Sequence, residues 1–353
     1  MPGVKILKAT TAHPGDTSPL SLLSSANDEQ QLLAVIGKTE GNGCVNDFTR
    51  MLSSTVWDPH VLPSGGVTVF SGGTEGVLSP HVSFIVTEPD HHQDESNTST
   101  YEQGLAAAVG HTRGLQPWEM GTIVHARLVA AKVSSMLHDD LQVQDPADVH
   151  MVLVKCPLLT TAKIVSGLNQ GKDCVTTDTY KSMAWSRLAA ALGVAVALGE
   201  IPDTDDAILA GLESYGKTAW SSRASCSSGA ELEDNHIVIL ASSKSASNPY
   251  RGLHGFMNDA IDLESLLKLK QQIPAGAKQV QIFVKAEPST DGLIRGNRHT
   301  MMTDSDIQGT RHARAAVGGL VSGVWGSSDV YVSGGAEGQG PMGGGSVCVV
   351  YKV

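Results

Sequence analysis

The sequence has no run of about 18 uninterrupted apolar residues, which a helix would need to cross a bilayer. It is also poor in positive charge, because 25 Lys and Arg residues stand against 36 Asp and Glu residues, a formal net charge of −11. Nucleic acids and anionic membranes are bound through concentrated Lys and Arg, so the composition argues against both as partners. The N-terminal segment MPGVKILKATTAHPGDTS lacks the apolar stretch and cleavage site of a signal peptide, and we expect a cytoplasmic protein.

Cysteine is scarce, and its spacing excludes two classes of site. The five cysteines are an odd number and none forms a C-x-x-C pair, so neither a disulfide framework nor a zinc site is indicated. Two of them, Cys156 and Cys226, adjoin residues that are singled out below, and either could be a reactive thiol. We expect both to be buried packing residues, as free cysteines usually are.

Several catalytic motifs are missing or incomplete. The sequence contains no H-E-x-x-H, and the GNG at 41–43 is not followed by the third glycine of a dinucleotide-binding fingerprint. Ser214 and Lys217 match the S-x-x-K of penicillin-recognising enzymes, but K-T-G and S-D-N are absent. The His91, His92, Asp94 and Glu95 group lies in a polar stretch between apolar segments, which predicts a solvated loop rather than a metal cluster.

The chain contains three copies of one sequence unit. Each copy begins with an apolar strand ending in lysine, continues with a stretch that reads as a helix and carries an arginine, and ends with an apolar strand running into a tight turn that begins with serine. The lysine-to-serine separations differ between copies, which excludes a solenoid and favours triplicated domains with different insertions. The members are Lys38, Arg50 and Ser71 in the first copy, Lys155, Arg187 and Ser227 in the second, and Lys285, Arg314 and Ser333 in the third.

The repeat predicts a mixed α/β chain of three similar domains, at 1–101, 107–246 and 252–353. The second is expected to contain a long amphipathic helix from about Pro117 to Leu137, because its apolar residues recur at helical spacing. The 38 glycines cluster at the turns of the repeat, where backbone can approach a ligand closely.

The residue types of the repeat suit acyl chemistry. A serine hydroxyl becomes a nucleophile when a base lies within hydrogen-bonding reach, and burial can lower the pKa of a lysine enough to make it that base. Backbone N–H groups of a glycine-rich turn and an arginine can hold a carbonyl oxygen or an oxyanion. Three such sites meeting at one axis would match a small planar ring with three carbonyl groups, a cyclic imide.

Five stretches of the chain resemble the cyanuric acid hydrolase and barbiturase family: GKTEGNGCVNDFTR at 37–50, FSGGTEGVLSPH at 70–81, VHMVLVKCPLLTTAKI at 149–164, RHTMMTDSDIQGTRHARA at 298–315 and VYVSGGAEGQGPMGGG at 330–345. The resemblance spans essentially the whole chain. It implies three similar domains around a pseudo-threefold axis with the active site at their centre, hydrolysis of a cyclic amide, and a homotetramer.

The resemblance also implies roles for the repeated residues. The lysine and serine of each copy would form a pair, the arginines would clamp the ring oxygens, and the second pair would be catalytic, with Ser227 as nucleophile and Lys155 as its base. The sequence offers one independent hint, since the residue after the serine is glycine in the outer copies and Ser228 in the middle one. The implied substrate-binding set is Lys38, Arg50, Ser71, Gly72, Arg187, Ser227, Ser228, Lys285, Arg314, Ser333 and Gly334.

A structural metal ion is a further implication of the resemblance. Glu287 matches the acidic ligand, and main-chain carbonyls of the C-terminal glycine-rich loop would complete a shell suited to Mg²⁺ or Ca²⁺. A charge partnership with a nearby Lys or Arg is the alternative for Glu287. No cofactor is needed for the chemistry, because serine and lysine account for it. The implied loop residues are Ala336, Gln339, Gly340, Pro341 and Gly344.

Two other functions stay open at this point. A barbiturase would open the related ring of barbiturate to ureidomalonate, and the motifs read closer to the cyanuric acid branch. A non-catalytic protein could use the same pocket to hold a ring without opening it, although the retained Lys155 and Ser227 argue against this.

Overall fold

The computed structural model of the protein describes residues 3–23, 32–87 and 101–353. The loop prediction for His91, His92, Asp94 and Glu95 lies outside these residues. The strands are β1 Val4–Thr10, β2 Leu32–Thr39, β3 Val67–Gly72, β4 His81–Thr87, β5 Gly104–His111, β6 Val149–Pro157, β7 Ala224–Gly229, β8 His236–Ser243, β9 Tyr250–Met257, β10 Lys278–Ala286, β11 Leu293–Ile294, β12 Asn297–Arg298, β13 Tyr331–Gly334 and β14 Gly345–Lys352. The α-helices are α1 Phe48–Val61, α2 Ile123–Ser135, α3 Thr161–Asn169, α4 Thr179–Ala197, α5 Asp205–Glu213, α6 Leu263–Gln271 and α7 Gly309–Trp325.

Three four-stranded sheets share one topology. Their strand orders are β1-β4-β2-β3, β5-β8-β6-β7 and β9-β14-β10-β13, so corresponding strands occupy the same place in each sheet. In every sheet the lysine strand pairs in parallel with the serine strand and antiparallel with the strand on its other side. This confirms the mixed α/β class and the threefold repetition of the unit.

The strands alternate between two apolar environments. In β6, Met151 and Leu153 point into a central core that the three sheets share, whereas Val152 and Val154 face the core beneath the helices. Because strand side chains alternate with a period of two, Lys155 lies on the central side with Met151 and Leu153. By the same alternation, the side chains of the other two repeated lysines and of all three serines face the central core.

The helices cover the outer faces of the sheets and carry the arginines. α1 packs on the first sheet, α2 and α4 on the second, and α6 and α7 on the third. α1 and α4 begin at aspartate N-caps, Asp47 and Asp178, whose carboxylates accept hydrogen bonds from backbone N–H groups of the first turn. The arginine-bearing stretches are therefore helical, as the sequence predicts.

The predicted helix from Pro117 to Leu137 is wrong at its start. α2 begins at Ile123, because Gly121 adopts a left-handed conformation with φ of +76° and breaks the helical path. A β-carbon at Gly121 would lie 2.8 Å from Cβ of Trp185 on α4, so a glycine is needed there for close helix packing as well. In the described ranges, no helix combines the length and apolarity needed to cross a membrane.

Candidate active site

The strand register brings the three lysine–serine pairs into place. Each lysine lies directly opposite its serine on the neighbouring parallel strand, one strand spacing of about 4.8 Å away. The pairs are Lys38 with Ser71, Lys155 with Ser227, and Lys285 with Ser333. They occupy the same end of each sheet, and the three ends meet at one cavity.

The cavity is small and narrow: about 250 Å³ of space not filled by atoms, open solvent included. Nine of the eleven predicted substrate-binding residues line it, and Lys38 and Lys285 stand behind their serines. Gly43 and Met183 also line the cavity and were not predicted, because nothing in their sequence context repeats. The predicted residues on the wall are Arg50, Ser71, Gly72, Arg187, Ser227, Ser228, Arg314, Ser333 and Gly334, together with Lys155.

The outer two pairs are hydrogen bonded and the middle pair is not. Lys38 Nζ donates to Ser71 Oγ at 3.3 Å, and Lys285 Nζ donates to Ser333 Oγ at 3.0 Å. Ser71 Oγ also donates to Ser333 Oγ at 3.3 Å, so serines of two sheets meet directly. The buried Ser227 Oγ has no hydrogen-bond partner among the described residues. The middle serine is thus the one of the three whose hydroxyl makes no hydrogen bond to its lysine.

Lys155 is anchored by groups other than Ser227. Its Nζ donates to the Phe70 carbonyl of the first sheet at 2.8 Å and to the Ser228 carbonyl at 3.3 Å. Lys285 does the same one sheet further on, donating to the Cys226 carbonyl at 2.7 Å. Each of these lysines therefore ties its own sheet to the edge strand of another.

Burial lowers the pKa of all three lysines. The pKa of Lys155 falls to about 8 and that of Lys285 to about 7, and the pKa of Lys38 lies well below its usual value. Desolvation of the ammonium group is the main cause in each case, and neighbouring arginines add to it. A neutral amine is therefore accessible near neutral pH, which is what a general base requires.

Three glutamates that the sequence analysis missed hold the arginines. Arg187 of α4 donates to Glu337 of the third copy through Nε at 2.8 Å and Nη2 at 2.7 Å. Arg314 of α7 binds Glu75 of the first copy in the same two-pronged way, at 2.7 and 2.6 Å. Both pairs are largely buried, and such bidentate pairs fix the guanidinium plane. Arg187 and Arg314 are thus each oriented by a glutamate from a different copy of the repeat.

The third contact, between Arg50 of the first copy and Glu231 of the middle copy, departs from this pattern. Arg50 Nε lies 3.6 Å from Glu231 Oε1, too long for a good hydrogen bond, while Lys155 Nζ lies 3.3 Å from the same oxygen. The carboxylate of Glu231 is therefore shared between an arginine and the candidate base. A signal for these glutamates existed in the sequence, since each stands four residues after its serine: Glu75, Glu231 and Glu337.

The glycines of the serine turns make room for the guanidinium groups. A β-carbon at Gly73, where φ is +101°, would lie 2.5 Å from Arg314 Nε, and one at Gly335 would lie 2.4 Å from Arg187 Cζ. Ser228 stands where the outer copies have glycine, and its hydroxyl donates to the Met183 carbonyl of α4 at 3.2 Å. The break in symmetry therefore has a packing role beside any role in catalysis.

The predicted metal ligand Glu287 is buried beside a second carboxylate. Its Oε2 accepts from the Ala336 N–H at 2.8 Å, and burial together with the nearby Glu337 raises the pKa of Glu287 to about 8. Glu337 is already neutralised by Arg187, but Glu287 is a buried carboxylate beside a second negative charge, the kind of group that a hard cation neutralises, so it fits Mg²⁺ or Ca²⁺. The neighbouring loop turns at the left-handed glycines Gly340 and Gly343.

The competing sequence motifs do not form sites. Lys217 is exposed, and Ser214 Oγ accepts from Thr218 Oγ1 at 2.8 Å, so the S-x-x-K match has no buried base. Cys156 and Cys226 are buried as expected, and burial raises the pKa of Cys156 to about 12, which keeps it a thiol.

Comparison with known proteins identifies the family. A family model described as amidohydrolase ring-opening protein matches residues 5–352. The chain belongs to this ring-opening amidohydrolase family. Within it, the chain is 52% identical over 355 residues to a cyanuric acid amidohydrolase of Sarocladium sp, covering 100% of this chain and 99% of the relative. It is 51% identical over 353 residues to a cyanuric acid amidohydrolase of Pseudonocardia dioxanivorans, covering 99% of this chain and 98% of the relative.

Solved structures of the family share the fold. A cyanuric acid hydrolase described as "evolutionary innovation by structural concatenation" superposes with a TM-score of 0.91, at 39% identity and full coverage of both chains. A cyanuric acid hydrolase from A. caulinodans gives a TM-score of 0.87 at 40% identity, covering 100% of this chain and 99% of that one. The predicted family and the fold of three similar units are therefore confirmed.

Proposed function

We propose that the protein hydrolyses cyanuric acid to carboxybiuret, which then loses carbon dioxide to give biuret. The convergence of three Lys–Ser–Arg sets on one small cavity supports this, because cyanuric acid carries three equivalent carbonyl groups. The names of the relatives at about half identity point to the same substrate.

In the proposed mechanism Ser227 Oγ attacks one ring carbonyl carbon while neutral Lys155 accepts the hydroxyl proton. The oxyanion is stabilised by backbone N–H groups of the turn after Ser227 and by the arginines. As the ring C–N bond breaks, the protonated Lys155 gives its proton to the departing ring nitrogen. Water then attacks the acyl-serine and Lys155 takes a proton from that water. The acyl C–Oγ bond breaks, Lys155 returns the proton to Ser227 Oγ, and carboxybiuret is released.

The other two copies hold the ring in this proposal. Ser71 and Ser333 stand opposite Lys38 and Lys285, and their hydroxyls are already polarised by hydrogen bonds from these lysines. The glutamates fix the planes of Arg187 and Arg314. The two side chains therefore lose little conformational entropy when their remaining N–H groups bind the ring. The ring is thereby positioned with one carbonyl next to Ser227.

Incubation of the purified protein with cyanuric acid tests the proposal. We expect biuret and carbon dioxide to appear in equal amounts, measured by liquid chromatography and by trapped gas. Heat-denatured protein is the control. Ring binding without product would contradict the enzyme proposal and support a binding module.

Barbiturase activity is the alternative within the enzyme class. Barbiturate replaces one ring N–H by CH₂, so the choice depends on which group faces that edge of the cavity. We expect a higher kcat/KM for cyanuric acid when both rings are assayed in parallel. A preference for barbiturate, with ureidomalonate as product, would overturn this choice.

The C-terminal loop is proposed to hold a structural Mg²⁺ or Ca²⁺ through Glu287 and carbonyls of Ala336, Gln339, Gly340, Pro341 and Gly344. When bound, the ion would neutralise Glu287 and hold the loop that presents Glu337 to Arg187. We expect Mg²⁺ or Ca²⁺ added to the chelator-stripped protein to raise the melting temperature of the wild type and to have a much smaller effect on Glu287→Gln. An equal shift in both proteins would contradict the site.

The assembly is proposed to be a homotetramer of chains that each contain domains at 1–101, 107–246 and 252–353. Resemblance to the family supports both statements. Light scattering coupled to size-exclusion chromatography measures the first, and a molar mass of one or two chains would contradict it.

A further inference from the structure

A second cluster of chemically active side chains lies at the opposite edge of the second sheet. His111 ends β5 and His236 begins β8, and the two residues are directly opposite in the antiparallel register. Asp234 stands two residues before His236. His111 Nδ1 lies 3.3 Å from Asp234 Oδ2, and His236 Nε2 lies 3.5 Å from Asp234 Oδ1. Neither the repeat nor the proposed mechanism uses this cluster.

The tautomer of His236 leaves a lone pair facing the carboxylate. Its Nδ1 lies 3.0 Å from the Thr68 carbonyl oxygen of β3, which can only accept, so Nδ1 carries the proton. In the neutral ring with this tautomer, Nε2 is the unprotonated nitrogen and carries the lone pair. Two acceptors, Nε2 and Asp234 Oδ1, then face each other with no hydrogen between them. A cation between them removes this conflict.

The distances suit a metal ion better than hydrogen bonds. Both His–Asp separations exceed the usual N–H···O length of about 2.9 Å. A tetrahedral ion with ligand bonds of about 2.0–2.1 Å places neighbouring ligand atoms about 3.3 Å apart, close to the two His–Asp separations, which involve the two different oxygens of Asp234. The ligand atoms of all three residues lie within 4.8 Å of one another. The hydrogen bond from His236 Nδ1 to a backbone carbonyl is the usual outer support of a metal-bound histidine.

The backbone that carries the cluster is held in place. Asn235, between Asp234 and His236, is fully buried, and its side-chain Oδ1 lies 2.9 Å from His125 Nε2. Both the backbone N–H and the Nδ2 group of Asn235 donate to Thr112 Oγ1 at 3.1 Å, and Thr112 adjoins His111. The three side chains are therefore presented by fixed backbone before any ligand binds. His111 and Asp234 are partly exposed, which gives an ion access.

We propose that His111, Asp234 and His236 bind one borderline divalent transition-metal ion, with zinc as the expected occupant. Two imidazoles and a carboxylate are a ligand set that suits Zn²⁺, and a water completes the coordination. The Asp58 carboxylate, which accepts from Thr68 Oγ1 at 2.6 Å, adds negative charge on the far side of His236.

The proposed ion is structural with respect to the cavity. His236 pairs with Lys155, which pairs with Ser227, so the cluster and the serine are separated by at least two strand spacings, about 10 Å. An ion there cannot touch the reacting carbonyl. It would instead tie β5 to β8 and, through His236, to the Thr68 carbonyl at the edge of the first sheet.

The equivalent positions in the first sheet show that the cluster is not part of the repeat. Thr10 and His81 occupy the places of His111 and His236 there. Both ring nitrogens of His81 have partners, the Ser79 carbonyl at 2.8 Å and Gln281 Nε2 at 3.1 Å. Of these two sheets, only the second therefore carries the full set of ligands.

Zinc titration of the chelator-stripped, full-length protein tests the proposal, with Mg²⁺ in excess to occupy the C-terminal loop. By calorimetry we expect one tight Zn²⁺ per chain, weakened at least about tenfold in His111→Ala and in Asp234→Asn. His138→Ala is the matched control, because His138 is an exposed histidine whose Nδ1 lies 2.8 Å from Asp139 outside the cluster. It should bind zinc as the wild type does.

Two further measurements distinguish binding at the proposed site from scattered binding to surface residues. Co²⁺ bound to the wild type should give the visible absorption of a four-coordinate ion, absent from His111→Ala, and Zn²⁺ should raise the melting temperature of the wild type and of His138→Ala only. The proposal is overturned if the wild type binds no tight zinc, or if His111→Ala and Asp234→Asn bind it with unchanged affinity and stoichiometry. Circular dichroism establishes that each variant is folded.

Discussion

Ser227→Ala is expected to lose at least about 10⁴-fold in kcat on cyanuric acid while keeping its fold, because the proposed nucleophile is removed. The hydroxyl of Ser227 has no hydrogen-bond partner among the described residues, so its loss should leave the melting temperature nearly unchanged. Biuret formation gives the rate, and thermal unfolding gives the stability.

Ser71→Ala and Ser333→Ala are the matched controls for this result. Each removes a serine hydroxyl from the same cavity, but one that accepts a hydrogen bond from its lysine. We expect weaker binding and slower turnover, about 10- to 100-fold in kcat/KM, together with a lower melting temperature. Normal turnover by Ser227→Ala, or complete loss of activity in an outer variant alone, would assign the nucleophile to a different copy.

Lys155→Met is expected to lower kcat about 10²- to 10⁴-fold, because the proposed general base is removed from beside Ser227. The pH dependence provides the sharper test. The base acts as the neutral amine, so wild-type kcat/KM should rise as pH increases through about 8 and level off above it. This rise should disappear from the residual activity of Lys155→Met.

Two variants distinguish Lys155 from the other buried lysines. Glu231 Oε1 lies 3.3 Å from Lys155 Nζ and stabilises its ammonium form, so Glu231→Gln should move the rise in kcat/KM to lower pH. Lys285→Met should keep the rise near pH 8, since the pKa of Lys285 is about 7 and belongs to another pair. A rise that vanishes in Lys285→Met and persists in Lys155→Met would name Lys285 as the base.

The repeated lysines and serines could be found from local pattern, and their pairing was implied by the family resemblance. Period-two alternation is visible in the sequence, whereas the parallel register that sets Lys155 opposite Ser227 comes from the structure. The helical position of Arg187 follows from the aspartate cap and the apolar spacing around it. Repetition made these patterns stand out from single chance occurrences.

What the sequence could not supply are contacts between copies of the repeat. Nothing local says that Arg314 binds Glu75, because the partners are far apart in the chain and meet only through the arrangement of the sheets. The left-handed Gly121 was also missed, since its conformation depends on the close approach of Trp185. The cluster of His111 and His236 depends likewise on strand register.

The arginine–glutamate contacts run in one direction around the molecule. Arg50 approaches Glu231 of the second copy, Arg187 binds Glu337 of the third, and Arg314 returns to Glu75 of the first. A closed circuit of this kind has no member that can be completed in isolation, and a missing copy would strand a buried charge at each broken junction. Glu75 near the start of the chain therefore gains its arginine partner only when the C-terminal copy, which is synthesised last, has packed against the first.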